Sequence, residues 1–192
     1  MNSFRTLEPE LQSDEEMVAR AIKGDVDAFG DLYQRHLPSI YRYLYYRLGE
    51  VLEAEDLTEN VFLKAWQGLK SFKKGKGSFR TWLYRVAHNT LIDHYRTMKQ
   101  ESPLQPIEEL EAPSPRPEEQ VIAKERSQGL ARAIARLKPE FQEILTLRFI
   151  NGMSHMEAGQ VMGRSSGAVR VLQHRALKAL GEILEGSGED RG

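Results

Sequence analysis

A short proline-rich and acidic stretch near the middle of the chain limits the possible folds more than any other feature. Five of the eight prolines fall between residues 103 and 117, and six glutamates between residues 101 and 119 are balanced only by Arg116. Proline removes backbone donors and like charges repel, so residues 100–118 are predicted to form an extended linker. The linker divides the chain into two small domains, residues 13–99 and 119–186.

Both flanking segments are predicted to be helical. Apolar residues recur at spacings of three and four, and they never alternate with polar residues over the length of a strand. Ser13 with Glu16 and Ser154 with Glu157 have capping-box spacing, and Pro139 suits the first turn of a helix. The pattern predicts an all-α chain with about four helices after the linker and four before it, near residues 14–23, 25–47, 52–70 and 78–98.

Composition argues against membrane insertion and against secretion. The chain has no apolar run approaching the roughly 18 residues that span a bilayer, and its start lacks the basic-then-apolar pattern of a signal peptide. It has no cysteine, which fits a reducing compartment. We therefore expect a cytoplasmic protein.

Enzymatic activity is a poor interpretation of these residues. The five histidines include no pair at three- or four-residue spacing, and no Ser-His-Asp or paired-carboxylate set stands out. The loop at residues 73–78 lacks the first glycine of a phosphate-binding loop, and its lysine is not followed by Ser or Thr. We expect no catalytic residues, no bound metal and no cofactor.

The predicted helix at residues 52–69 has an unusual exposed face. Leu57, Val61, Ala65, Trp66 and Leu69 lie on one arc at about 100° per residue, which is a core face. The opposite arc carries a leucine among acidic and amide side chains: Asp56, Glu59, Asn60, Leu63 and Gln67. This arc is either an incidental surface or a docking surface for a partner helix.

The next segment is basic and aromatic. Residues 64–99 include nine Lys or Arg residues and a single acidic residue, Asp93. The helix from Ser78 is predicted to bury Phe79, Trp82, Leu83, Val86 and Ala87. Its outward side chains are predicted to be Thr81, Tyr84, Arg85, His88, Ile92, Tyr95 and Arg96, with Asn89 at the edge. On such a face, basic side chains can contact DNA phosphates and aromatic rings can stack on unpaired bases. Alternatively, it is the solvated surface of a helix with incidental aromatic residues.

The C-terminal segment has helix-turn-helix spacing. Residues 154–162 form a predicted first helix, residues 163–165 a short turn, and a second helix follows. Val169, Leu172, Ala176 and Leu180 fall on its buried side, and no acid occurs between residues 164 and 178. The exposed side is predicted to carry Arg170, Val171, Gln173, His174 and Lys178, with Arg175 on the flank. A helix of this kind can enter a DNA major groove, although an ordinary helical hairpin with a basic face shares the pattern.

Three stretches together resemble the extracytoplasmic-function (ECF) sigma factors, a family of RNA polymerase subunits. They are residues 56–66 (DLTENVFLKAW), 77–83 (GSFRTWL) and 167–176 (GAVRVLQHRA), in order and at the family's separations. The resemblance covers residues 13–186. It implies a sigma region 2 helical bundle before the linker and a region 4 helix-turn-helix domain after it.

The resemblance also implies roles for the three faces. Asp56, Glu59, Asn60, Leu63 and Gln67 would bind the bacterial RNA polymerase core enzyme. The minus 10 promoter element would be melted and held by Lys73, Lys74, Lys76, Ser78, Arg80, Tyr84, Arg85, His88, Asn89, Tyr95 and Arg96. The minus 35 element would be recognised by Arg164, Ser165, Ser166, Arg170, Val171, Gln173, His174, Arg175 and Lys178. Family members are commonly held inactive by an anti-sigma factor, so such a partner is expected by analogy.

The sequence departs from the family's pattern at three places. Glu59-Asn60 replaces the usual Gln-Glu, and Val171 occupies a position that is often polar. Ala158-Gly159 replaces the usual Ile-Ala, so the first helix of the helix-turn-helix is expected to pack loosely.

The rival hypothesis is a dimeric helix-turn-helix regulator that binds duplex DNA without polymerase. It requires a dimerisation surface and a palindromic site, and it leaves the basic, aromatic face without a role. Duplex binding by the free protein would favour it.

Overall fold

In the computed structural model, residues 12–72, 75, 77–101 and 129–189 are described, and all their regular structure is helical. The helices before the linker are α1 Asp14–Ile22, α2 Val26–Leu48, α3 Val51–Gly68 and α4 Phe79–Glu101, with a 3₁₀ turn at Leu69–Ser71. Those after it are α5 at 129–135, α6 Pro139–Leu145, α7 His155–Met162 and α8 Ser166–Glu189. A π-helical turn, Thr146–Ile150, extends α6. The all-α prediction is confirmed, whereas residues 102–118 of the predicted linker lie outside the described part of the chain.

Local sequence signals fix several helix ends. Ser13 and Ser154 each accept a hydrogen bond from the backbone N–H three residues on, and Glu16 and Glu157 accept one in return. Both predicted capping boxes are therefore present. Gly49 ends α2 in the left-handed conformation at φ 80°, which an L side chain rarely adopts.

The N-terminal helices α1–α4 form a bundle with α2 at its centre. The α2 helix packs against α1, α3 and α4. The largest buried side chains of this bundle, each contributing about 1.5–3 kcal/mol by burial, are Met17, Leu32, Ile40, Tyr43, Leu44, Phe79, Leu83, Tyr84 and Leu91.

The C-terminal helices form a second bundle in which α7 and α8 make the predicted helix-turn-helix. Gly163 ends α7 at φ 65°, and α8 begins three residues later. The two helices and α6 enclose a small core made of Ile144, Leu145, Leu147, Met153, Ala158, Val161, Val169, Leu172 and Ala176.

Gly159 shows that the turn between α7 and α8 is tight. A Cβ added there would lie 2.6 Å from the backbone oxygen of Arg164, and the Arg164 N–H donates to the Gly159 carbonyl at 2.9 Å. The expected loose packing of α7 is wrong, because glycine at this position lets the turn fold back onto the helix.

The two bundles pack against each other. Helix α4 contacts α7, and α2 contacts the π-helical turn. Tyr46 of α2 is buried with Ala131 and Ile134 of α5, and Leu180 of α8 packs beside them. The described residues therefore form one closed arrangement with a continuous core.

Two sets of side-chain orientations differ from the sequence-based prediction. Thr81 and Tyr84 were predicted to project outward, but Thr81 is 3% exposed and Tyr84 is fully buried, because the C-terminal bundle covers that side of α4. Trp66 was predicted to be a core residue, yet it is 38% exposed and packs on Phe29 at 4.8 Å between ring centroids. Burial on these helices depends on contacts that local periodicity does not encode.

Candidate polymerase and nucleic-acid interfaces

The predicted docking arc of α3 is exposed along its whole length. Leu63 is 56% exposed, and it is surrounded on the same side of the helix by the exposed Asp56, Glu59, Asn60 and Gln67. We call these five residues the α3 stripe. Leu52, which the sequence analysis did not single out, lies one turn before Asp56 and is 72% exposed. An exposed apolar side chain within an acidic rim is a typical helix-docking surface.

Helix α4 presents the exposed Arg85, Asn89, Tyr95 and Arg96 to solvent. Its N-terminus is capped by Ser78, whose Oγ accepts the backbone N–H of Thr81 at 3.2 Å. Of the predicted minus 10 residues, Lys73, Lys74 and Lys76 lie outside the described residues.

An open cavity of about 380 Å³ lies beside the exposed part of α4. Aromatic and apolar walls and a few polar groups surround it, from Ser71, Phe72, Thr81, Trp82, Arg85, Val86, Asn89 and Gln160. Gln160 comes from α7, and its Oε1 lies 3.2 Å from the position a Cβ would take on Gly77. The cavity combines aromatic and apolar side chains with hydrogen-bonding groups, and such groups can hold an unstacked base.

The other face of α4 meets a buried acid from the C-terminal bundle. The carboxylate of Glu143 on α6 forms an ion pair with Arg47 and accepts a hydrogen bond from the Tyr43 hydroxyl at 2.8 Å. His88 of α4 places its Nδ1 3.1 Å from the same carboxylate. Tyr43, Arg47, His88 and Glu143 are called the Glu143 cluster below.

Burial controls the protonation of this cluster. Burial, and then the charge of Arg47, lower the pKa of His88 from its ordinary value, which favours the neutral imidazole. Burial also raises the pKa values of Tyr43 and Tyr84 above that of a free phenol. The carboxylate of Glu143 is thus held by the Arg47 guanidinium and by the neutral Tyr43 hydroxyl, which donates a hydrogen bond to it.

A second polar contact joins the bundles around Asn151. The Tyr84 hydroxyl donates to Asn151 Oδ1 at 2.9 Å, and the Arg80 guanidinium donates to the Asn151 carbonyl. Arg80 also lies 3.9 Å from Glu157 of α7. Arg80, Tyr84 and His88, all predicted to touch DNA, are therefore engaged by the C-terminal bundle in this arrangement.

Glu143, Arg47 and Asn151 are not predicted as site residues by any local sequence pattern. A signal for the first exists, because Gln142 and Glu143 interrupt the short apolar run formed by Phe141, Ile144 and Leu145. An acid in such a run must find a partner when it is buried.

Helix α8 exposes an acid-free basic face. Its N-terminus is capped by Ser165, whose Oγ accepts the Ala168 N–H at 3.2 Å. Exposed side chains on and beside its first turns, as the sequence predicted, are Arg164, Ser166, Arg170, Val171, His174, Arg175 and Lys178. This face has the size, charge and helical geometry that enter a major groove.

Two of the predicted minus 35 residues, Gln173 and Arg164, make side-chain contacts within the protein. Arg148 donates from Nε to Gln173 Oε1 at 3.0 Å, so the Gln173 amide is half-buried at the edge of the face. Arg164 pairs with Glu140 at 2.9 Å. An exposed pair of this kind is weak and leaves the guanidinium accessible.

Comparison with known proteins places both bundles in one family. Residues 32–101 match sigma-70 region 2, and residues 133–182 match sigma-70 region 4. The chain is 31% identical over 172 residues to the ECF RNA polymerase sigma factor SigW of Bacillus subtilis, a match that covers 84% of this chain and 91% of SigW. This chain belongs to the ECF RNA polymerase sigma factors. The sigma factor is also 38% identical over 171 residues to BldN of Streptomyces coelicolor, across 88% of this chain and 65% of that protein.

Solved structures show the same fold. The structure of CnrH in complex with the cytosolic domain of CnrY matches this sigma factor with a TM-score of 0.70 at 26% identity, covering 91% of this chain and 99% of that one. The sigma factor RpoE in complex with the anti-sigma factor NepR from Bartonella quintana matches with a TM-score of 0.68 at 23% identity, covering 82% and 96%. Among the described residues of this sigma factor, no helix is both long and apolar enough to cross a membrane.

Proposed function

We propose that this sigma factor directs RNA polymerase to two-part promoters through three separate surfaces. The α3 stripe binds the core enzyme, α4 and its cavity hold the opened minus 10 element, and α8 reads the minus 35 element. The observation that carries the proposal is the presence of three exposed surfaces with different chemistry on one chain. A duplex-binding regulator has no use for the first two.

The minus 10 contacts are assigned to the exposed part of α4. Arg85 and Asn89 line the cavity of about 380 Å³, in which Trp82 and Phe72 supply a surface for stacking. Capture of an extruded base there offsets the few kcal/mol lost in unstacking it. For Lys73, Lys74 and Lys76, contact with DNA phosphates remains a prediction.

The minus 35 contacts are assigned to Arg170, His174 and Arg175 on α8. Arginine can bond guanine O6 and N7 with two donors, and each such contact discriminates between bases by about 1–3 kcal/mol. Lys178, farther along the helix, is assigned to a phosphate, which gives affinity without sequence preference.

Two further properties follow by analogy with the relatives. A relative of the same fold is bound by an anti-sigma factor, so we propose such a partner here. We also propose that the protein acts in the cytoplasm without catalysing a covalent reaction, and that its domains span residues 13–99 and 119–186 on either side of a linker at 100–118.

The test is transcription in vitro from a library of random promoter DNA with bacterial core polymerase, followed by sequencing of the RNA starts. We expect starts beneath a shared two-part motif only when this protein is added. No gain over core enzyme alone, together with tight duplex binding by the free protein, would favour the dimeric regulator instead.

A further inference from the structure

One contact at the edge of the basic face of α8 fixes the direction of a side chain that is predicted to touch the minus 35 element. Arg148, in the π-helical turn, donates from Nε to Gln173 Oε1 on α8 at 3.0 Å. Arginine carries only donors, so the amide must turn its oxygen, and not its nitrogen, towards Arg148. The orientation of the Gln173 amide therefore follows from chemistry as well as from geometry.

Arg148 is itself held in place by other groups. Its guanidinium also donates to the backbone carbonyl of Met153, the residue before the Ser154 cap of α7. Burial alone would raise the pKa of Glu157 on α7, but hydrogen bonds with Ser154 and nearby arginine charges, that of Arg148 among them, hold this pKa below its ordinary value. With these partners Arg148 has few other orientations, so it can hold the Gln173 amide in place before DNA binds.

The amide nitrogen of Gln173 keeps both of its donors. Among the described residues none accepts a hydrogen bond from this nitrogen, and the atom is not sealed from solvent. Gln173 lies three residues after Arg170, on the same edge of the basic face. It thus offers two N–H groups to a ligand beside a residue that is assigned to the minus 35 element.

The fixed amide changes what this glutamine can recognise. A glutamine that is free to rotate reads adenine, because its oxygen accepts from N6 while its nitrogen donates to N7. The oxygen of Gln173 faces Arg148 instead, so only donors remain for DNA. Donors suit guanine O6, thymine O4 or a phosphate oxygen, whereas adenine and cytosine present an amino group that is itself a donor.

We propose that Arg148 is a positioning residue of the minus 35 interface, which makes Gln173 a donor-only side chain that bonds an acceptor oxygen of promoter DNA and does not select adenine. The acceptor is the keto oxygen of guanine or thymine, or a phosphate oxygen. The inference rests on the proposed function for the identity of the DNA, whereas the contact between Arg148 and Gln173 can be measured without DNA.

The first experiment detects this contact in the free, full-length chain. The Arg148 Nε–H gives a proton–nitrogen NMR signal, which Arg148→Lys assigns by its loss, and its proton exchanges slowly with water when it is hydrogen-bonded. We expect slow exchange in the parent chain and in Gln173→Glu, whose carboxylate accepts the same bond, and fast exchange in Gln173→Met. Equal exchange in the parent chain and in Gln173→Met overturns the positioning role.

The second experiment measures DNA preference by selecting bound duplexes from a random pool, with the full-length chain alone and with core polymerase. Gln173→Glu keeps the bond from Arg148 but presents an acceptor to DNA in place of two donors. We expect it to bind the duplexes that the parent chain selects about fivefold more weakly. A base contact changes one selected position from guanine or thymine to adenine or cytosine, whereas a phosphate contact lowers binding evenly across sequences.

Matched variants separate the donor from charge and from folding. Leu177→Glu adds the same charge four residues along the same edge, where Leu177 is 41% exposed, and should weaken binding less than Gln173→Glu. Gln173→Met removes the donors without adding charge and should also weaken binding. Arg148→Lys can still donate to the amide oxygen and should bind as the parent chain does, whereas Arg148→Met should not. Far-ultraviolet circular dichroism confirms that each variant is folded.

The outcomes distinguish this inference from the proposed function. Equal losses in Gln173→Glu and Leu177→Glu overturn the donor-only contact, and so does selection of adenine by the parent chain at the position that Gln173→Glu changes. A parent chain that enriches no duplex, with or without core polymerase, overturns it as well. A chain whose duplex binding depends on Gln173 and Arg148 as expected, but which supports no transcription, keeps this contact and refutes only the sigma function.

Discussion

At the scale of single residues, close neighbours decide what a side chain contributes. Gly159 looks like a weak helix residue in the sequence, yet the Arg164 carbonyl leaves no room there for a Cβ. Asp14 looks like one of three first-turn acids of α1, yet it lies 2.7 Å from His36 and 2.9 Å from Arg35 on α2. Gly159 stabilises the contact between α7 and the turn before α8, and Asp14 stabilises the contact between α1 and α2. Each role can be tested by one substitution.

Gly159→Ala is expected to destabilise the helix-turn-helix. Its Cβ would lie 2.6 Å from a backbone oxygen that cannot move without opening the turn, so a loss of about 1–3 kcal/mol in the free energy of unfolding is expected. Gly181→Ala in α8 is the control, because nothing lies within 4 Å of its added Cβ. That control should be stabilised by about 0.5–1 kcal/mol. Urea unfolding measures both, and equal effects of the two substitutions would contradict the tight turn.

The Asp14 ion pairs predict a specific dependence of stability on pH. Burial alone would raise the pKa of Asp14, but the hydrogen bonds and charges of His36 and Arg35 outweigh it and hold the pKa below its usual 3.8. A depressed folded pKa stabilises the protein above pH 3.8, and this stabilisation is lost as the pH falls through the folded pKa.

Asp14→Asn should therefore be less stable than the parent chain at about pH 5.5, and the difference should shrink towards about pH 2.5. Thermal unfolding across this range measures it. Glu15→Gln, the neighbouring first-turn acid, controls for the loss of charge at the helix N-terminus. A difference that stays constant down to the lowest pH would exclude the ion pairs as its cause.

At the scale of helices, one face builds the core and the opposite face is free for recognition. In α3 the buried Leu57, Val61 and Ala65 hold the helix against α2, so the α3 stripe is rigid before any partner binds. In α8 the buried Val169, Leu172 and Ala176 do the same for the basic face.

Leu63→Asp is expected to weaken binding to core polymerase. A central apolar contact within a polar rim contributes about 2 kcal/mol or more, which is roughly thirtyfold in Kd. Val26→Asp is the control, because Val26 is a comparably exposed apolar residue, 66% exposed, on a different helix, α2. Fluorescence anisotropy of labelled chain titrated with core enzyme measures both. Equal losses in the two variants would argue against the α3 stripe as the docking site.

Arg170→Ala and Lys178→Ala should separate sequence reading from phosphate binding. Losing a base contact costs about 1–3 kcal/mol and relaxes preference at one or two positions of the minus 35 element. Losing a phosphate contact weakens binding evenly across sequences and lowers the salt dependence. Sequencing of starts from the promoter library shows the first effect, and salt titration of duplex binding shows the second. Identical sequence preferences in the parent chain and Arg170→Ala would refute base reading by Arg170.

At the scale of the whole molecule, the contact between the domains couples their stabilities. Tyr43, Tyr46 and Tyr84 of the N-terminal domain are buried together with residues of α5, α6 and the turn that follows α6. Neither domain can unfold without exposing part of the other.

The parent chain is therefore expected to unfold in one calorimetric transition, and Glu143→Ala in two. The substitution leaves each core intact but removes the ion pair that joins them. Glu140→Ala, which breaks an exposed pair within one domain, should keep the single transition. Two transitions already present in the parent chain would show that the domains are not coupled in solution.

Much of the fold and of the recognition surfaces follows from the sequence alone. Helix ends at Ser13, Gly49, Ser154 and Gly163 follow from local backbone and capping chemistry, which does not depend on distant residues. The exposure of the α3 stripe and of the α8 face follows from helical periodicity, because each lies opposite an apolar arc that must be buried.

Only the tertiary structure decides which parts of those helices are covered. Tyr84 is polar at one end and lies off the apolar arc of α4, so periodicity predicts it outside, but the C-terminal domain packs over it. Glu143 and Arg47 are about a hundred residues apart in the chain, and no local rule pairs them. Periodicity describes one helix in water, whereas burial at a domain contact depends on where a second, separately folded surface comes to lie.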